Sequence, residues 1–131
     1  MRDKLYNLGL HQEEVEEMIS KLIVEGFINE ERFARGYVRG KYRLKKWGRI
    51  KIKIGLDAHR LSDYCIKKGF AEIDEEEYLE NLRHLAVKKL PSIKGDDAFT
   101  RKLKLQNFLQ GKGYEYELIR EVIDPLDFEK S

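Results

Sequence analysis

The chain repeats itself at intervals of about fifty residues, and a repeat limits the fold more than any single motif does. Leu5, Gly9, Leu10 and Val15 set a spacing that recurs as Leu56, Arg60, Leu61 and Ile66, and again as Leu109, Gly113, Tyr114 and Ile119. Units of this size are too small to bury a core alone, so neighbours must stack to exclude water. The 131 residues accommodate three: 1–47, 48–91 and 92–131.

Each unit reads as helical. At the second repeat position a helix ends, with glycine supplying the left-handed residue at Gly9 and Gly113, so the end at Arg60 must be built differently. In the first unit a helix over 13–25 places Val15, Met18, Ile19, Leu22 and Ile23 at helical spacing, and Gly26 closes it. Asn29 then caps a further helix, with Glu30 and Glu31 in its first turn and Phe33, Ala34, Tyr37 and Val38 turned inward. The second unit repeats the step: Gly69, Asp74 as cap, Glu75 to Glu77, inward Tyr78, Leu79, Leu82, Leu85 and Ala86, and a stop at Pro91. The third opens after Gly95 with Asp96 as cap, runs through Phe99, Leu103, Leu105 and Phe108, and continues through Leu118, Ile119, Val122 and Ile123 to Pro125.

Ile50-Lys51-Ile52-Lys53-Ile54 alternates as a half-buried strand does. The repeat argues for a helix over 51–58, because Ile52 and Leu56 precede Leu61 at helical spacing and no second clear strand exists to pair with. The predicted class is all-α.

Charge is distributed unevenly. The window Arg32 to Lys53 holds ten of the chain's 26 basic residues and none of its 24 acidic ones, so a +10 pole sits in a body of net −8. Phosphate is the natural counterpart of such a pole. On a helix, Arg32, Arg35, Arg39, Arg43 and Lys46 fall within an arc of about 80°, facing outward away from Phe33, Ala34 and Tyr37. Lys45, Arg49, Lys51 and Lys53 extend the pole. Tyr42 and Trp47 border it, where each either stacks on a base or packs between units. Gly36 and Gly40 weaken the helix yet let another backbone approach.

Membrane spanning is excluded by apolar runs as short as Leu22 to Val24, against the roughly 20 residues required. The N-terminus Met1-Arg2-Asp3-Lys4 leads into no signal-peptide core. A single cysteine, Cys65, has no internal disulfide partner and sits among Tyr64 and Ile66 like a small hydrophobe. The cytoplasm is the expected location.

Gly26-Phe27-Ile28-Asn29-Glu30-Glu31-Arg32-Phe33-Ala34, followed by Tyr37-Val38 and by Gly48 with Ile52, Leu56 and Leu61 at offsets 4, 8 and 13, resembles the RecX family of bacterial regulatory proteins. The likeness covers nearly the whole chain, which begins inside what would be the family's first helix, as if an N-terminal segment preceded it. The resemblance implies three tandem three-helix repeats in a curved, elongated array. It further implies a monomer that binds the RecA filament on single-stranded DNA and modulates, in the inhibitory direction, recombination, repair and the SOS response. It brings no catalytic residue, cofactor or metal.

The residues offer little for an enzyme. Gly111-Lys112-Gly113 is a fragment of a phosphate loop, but Tyr114 stands where a magnesium-binding hydroxyl belongs, and a helix C-cap accounts for it better. His11, His59 and His84 lack metal-ligand spacing. The acidic cluster Glu72, Asp74, Glu75, Glu76, Glu77 and Glu80 fits a helix N-terminus rather than a calcium loop or a magnesium-dependent nuclease. A sequence-nonspecific nucleic-acid-binding module acting without RecA is the alternative that the basic pole alone would satisfy.

Overall fold

A computed structural model describes residues 12–126 and Phe128. Among the described residues there are six α-helices and no strand. They are α1 (Gln12–Arg43), α2 (Arg49–Ala58), α3 (Asp63–Phe70), α4 (Glu75–Lys89), α5 (Ala98–Gly111) and α6 (Tyr116–Ile123), with a 3₁₀ turn at Leu90–Ser92. The C-terminal half of α1 packs with α2 and α3, and α4 packs with α5 and α6, giving two three-helix groups in a helical repeat fold. No helix among the described residues is long and apolar enough to cross a membrane.

The helix starts follow local chemistry. Ser62 accepts a hydrogen bond from Cys65 N at 3.2 Å, Asp74 from Glu77 N at 3.3 Å, and Asp97 from Thr100 N at 2.7 Å. Each satisfies one of the orphan donors of a first turn. The cap of α5 is thus Asp97, one residue later than Asp96. Its backbone hydrogen bond from Thr100 holds the Asp97 carboxyl below the usual aspartate range. Pro91 ends α4 by entering the 3₁₀ turn, where its missing N–H is harmless.

Arg49–Ala58 is helical, as the repeat requires, with Ile52 and Leu56 fully buried and Ile50 and Ile54 outside. Gly113 takes the left-handed conformation with φ 98°, and Arg60 takes it too, with φ 54°. The Arg60 helix end is therefore not built differently. The side chain tolerates a conformation costing about 1–2 kcal/mol because Arg60 N and His59 N still close the last turn on Asp57 O and Leu56 O. Gly9 lies outside the described residues.

The break expected at Gly26 and Asn29 is absent, since α1 runs unbroken for 32 residues. One glycine in a helix interior costs about 1 kcal/mol. Ending the helix there would release several backbone donors and acceptors at once, which costs more. Phe33 is likewise not inward: it is 42% exposed, while Ala34, Val38 and Tyr42 form the buried line of the C-terminal half of α1. Those three join Ile52, Leu56, Cys65, Ile66 and Ile73 in one core that runs on through Tyr78, Leu82, Leu105, Leu109, Tyr114 and Ile119. Phe99 and Leu103 of α5 stay exposed.

Where the two groups meet, α2 lacks a side-chain cap. The second group supplies its partners instead. Gly48 N donates to Lys112 O at 2.7 Å, Arg49 N to Tyr78 Oη at 2.8 Å, and Ile50 N to Gly113 O at 2.9 Å. Tyr114 Oη donates to Lys46 O at 2.9 Å.

Candidate nucleic-acid interface

The structure divides the basic pole into paired and unpaired halves. Arg35 bonds Glu31 at 3.1 Å and Glu72 at 3.3 Å, Arg39 lies 3.8 Å from Glu72, and Arg43 is 3.1 Å from Glu77. Lys46 Nζ donates to Asn81 Oδ1 at 3.2 Å. The arginine stripe thus runs beside the α3–α4 turn and the first turn of α4, with its side chains still about half exposed. The hydrogen bond that Arg35 donates to Glu31 first, then the charges of both glutamates, hold Arg35 still more firmly protonated. For Arg43 the Tyr42 hydroxyl does so first, then Glu77.

Tyr42 does not belong to the interface. It is fully buried; its hydroxyl donates to Glu72 O at 3.1 Å, and its carbonyl accepts from Asn81 Nδ2 at 2.9 Å. Packing between helices is what this ring does, and no face of it is open to a base.

Arg49 has a structural role as well. Its guanidinium bonds Glu115 at 2.7 Å and Glu75, and lies 4.1 Å from the Tyr78 ring centroid. Tyr78 donates to the same Glu115 carboxylate. Burial opposes charge on Arg49, yet Glu115, Tyr78 and Glu75 together outweigh it and the guanidinium stays fully protonated. Burial first, then the bond to Glu115, pushes the Tyr78 hydroxyl well above the ordinary tyrosine range. Lys53 is taken by Asp57 at 2.9 Å.

The other half of the pole is aromatic. Among the described residues no carboxylate pairs with Arg32, Lys41, Lys45 or Lys51. Lys41 Nζ and Lys51 Nζ lie 4.7 and 4.5 Å from the centroid of the half-buried Trp47 ring. Lys41 also lies 5.3 Å from the Tyr37 centroid, and Phe33, Tyr37 and His59 form a mutual cluster with centroids 4.7–5.8 Å apart. Beside them a groove of about 190 Å³ is lined by Gly36, Tyr37, Gly40, Lys41, Leu44 and Lys45. No atom stands within 4 Å of where a Cβ on Gly36 or Gly40 would be, so the backbone there is open to approach.

Cations alternating with ring faces suit a single strand, because bases stack on rings while ammonium groups meet phosphates. Of the residues expected at the interface, the structure gathers Trp47, Lys45 and Lys51 here, and Arg32 remains unpaired on the same helix. Arg35, Arg39, Arg43, Lys46, Arg49 and Lys53 go to partners within the chain. Lys41 belongs to the basic pole without standing out in it, Phe33 and Tyr37 read from the sequence as inward packing residues, and nothing in the sequence marks His59 as their neighbour. The signal for three of them was present in the i, i+4 series Phe33, Tyr37, Lys41 and Lys45.

Residues 29–69 match the second three-helix domain of RecX, and residues 75–123 match the third. The chain is 32% identical over 127 residues to the regulatory protein RecX of Clostridium acetobutylicum, spanning 94% of this chain and 58% of that protein. It is 30% identical to that of Chlorobium limicola, spanning 94% of this chain and 76% of that protein. The crystal structure of RecX from Lactobacillus salivarius superposes with a TM-score of 0.72 at 28% identity, over 96% of this chain and 82% of that one.

Proposed function

The chain belongs to the RecX family, and from that premise we propose that it binds the RecA filament on single-stranded DNA and modulates the recombinase in the inhibitory direction, so regulating DNA repair and recombination. The observation that carries the DNA half of this reading is Trp47 held between the ammonium groups of Lys41 and Lys51, beside a groove with no carboxylate among the described residues that line it. Phosphate contacts of this kind position a protein on a strand without reading sequence, which suits a regulator of a filament that forms on any sequence.

The protein acts by binding, as a monomer in the cytoplasm, with no cofactor and no catalytic step. The second reading, a nucleic-acid-binding module that needs no RecA, rests on the same array. Co-sedimentation with RecA filaments against bare single-stranded DNA, at matched salt, separates the two. Tighter capture by the filament supports the regulatory role, and equal capture by bare DNA leaves only the module.

A further inference from the structure

We propose that a strand seated at Trp47 continues across the junction of the two three-helix groups into a second basic, aromatic-floored pocket formed by Lys88, Lys89, Phe108 and Lys112. The proposal rests on Trp47 being a nucleic-acid site and extends it onto the C-terminal group. The pocket has a volume of about 280 Å³ and is completed by Leu85. Its make-up repeats the first site: Lys89 Nζ and Lys112 Nζ lie 4.8 and 5.6 Å from the Phe108 ring centroid, as two lysines flank Trp47.

Three lysines around one concave site repel one another, and among the described residues no carboxylate lines it to offset them. Two lysines outside these sites are neutralised by carboxylates: Lys53 has Asp57 and Lys102 has Asp124 at 2.8 Å. Lysines in the last turn of a helix also answer the helix dipole, which accounts for Lys88 and Lys89 singly. It does not account for their convergence with Lys112, from a different helix, around one ring. A polyanion with flat apolar bases satisfies both the charge and the floor, which points to single-stranded nucleic acid.

The two sites are joined by backbone. Lys112 O accepts from Gly48 N, the residue after Trp47. Lys51, whose ammonium covers Trp47, abuts Gly113 so closely that a Cβ there would fall 2.5 Å from Lys51 Cβ. The Gly111-Lys112-Gly113 segment, a plain helix C-cap by its conformation, thereby becomes the bridge. Gly111 stands open, with nothing within 4 Å of a Cβ position.

Trp47 is the chain's only tryptophan, so its fluorescence reports the first site alone. Oligothymidylates of about five and about twenty nucleotides distinguish one site from the full track. The K88Q/K89Q/K112Q variant, with its fold checked by circular dichroism, is expected to bind the short strand as the parent chain does. It should bind the long one on the order of tenfold more weakly, with the log–log salt slope reduced by about 2. In the parent chain the long strand, and not the short one, should protect these three lysines from acetylation, a readout that needs no variant. Unchanged long-strand affinity and slope, or equal labelling with both strands, overturns the continuation while leaving the Trp47 site standing. If neither strand binds or alters Trp47 fluorescence in the parent chain, the underlying reading fails with it.

Discussion

Gly48 and Gly113 meet backbone to backbone: a Cβ on Gly48 would fall 2.2 Å from the Gly113 carbonyl carbon. This contact lets Lys112 O and Gly113 O take the place of a side-chain cap for α2 and fixes how the two three-helix groups sit together. Gly48→Ala is therefore expected to lower stability by roughly 3 kcal/mol, the upper range for overpacking, seen as a fall in the urea midpoint. Gly113→Ala adds the strain of a positive φ.

Gly26 offers the opposite case. It lies inside α1 with open space around it, so Gly26→Ala should raise stability by about 1 kcal/mol. A loss of stability in the same urea titration would mean that the helix ends at Gly26 after all.

Tyr78→Phe keeps the ring under Arg49 but removes the hydroxyl that accepts from Arg49 N and donates to Glu115. With a buried donor left unpaired, a loss of about 1–3 kcal/mol is expected in the same titration. A neutral substitution would show that the junction does not depend on this bond.

Glu72 and Glu77 hold the arginine stripe. Their conversion to Gln should release Arg39 and Arg43 to phosphate and leave Arg35 with Glu31 alone, tightening binding to single-stranded DNA and steepening its salt dependence. Unchanged affinity and slope in a fluorescence titration would show that the stripe has no access to a strand even when freed.

The alkaline limb of stability follows from Tyr78 and Tyr114, both pushed above the ordinary tyrosine range chiefly by burial. A raised folded-state value favours the folded form as long as the pH stays low enough for the unfolded tyrosine to keep its proton. That stability drains away once the pH exceeds the unfolded value of about 10. The Tm should be flat on approaching pH 10 and fall above it, with at least two of the seven tyrosines ionising only as the chain unfolds. Complete ionisation of all seven with the fold intact, followed at 295 nm, would contradict this.

Much of the fold was legible because its signals are local. Asp74 caps α4, Pro91 closes it, Gly113 turns the chain, and the spacing of Ile52 and Leu56 overrode the alternation of Ile50 to Ile54. The continuity of α1 was not legible, since Gly26 and Asn29 carry the same local signals whether or not a helix stops there. The site was half legible. The sequence marks where cations cluster but not which carboxylates return to them: Glu72 and Glu77 lie more than thirty residues from the arginines they hold. Tyr42 and Trp47 look equivalent at the edge of a basic run, and only packing separates the buried ring from the one between two lysines.

Regulation of RecA through a strand-binding face at Trp47, as proposed, is read from RecA's single-stranded-DNA-dependent ATP hydrolysis, titrated with the parent chain and with the folded K41Q/W47A/K51Q variant. The parent chain is expected to suppress hydrolysis in a dose-dependent way, and the variant to need at least tenfold more protein for the same effect. No suppression by the parent chain at saturation, or equal suppression by both, would contradict it.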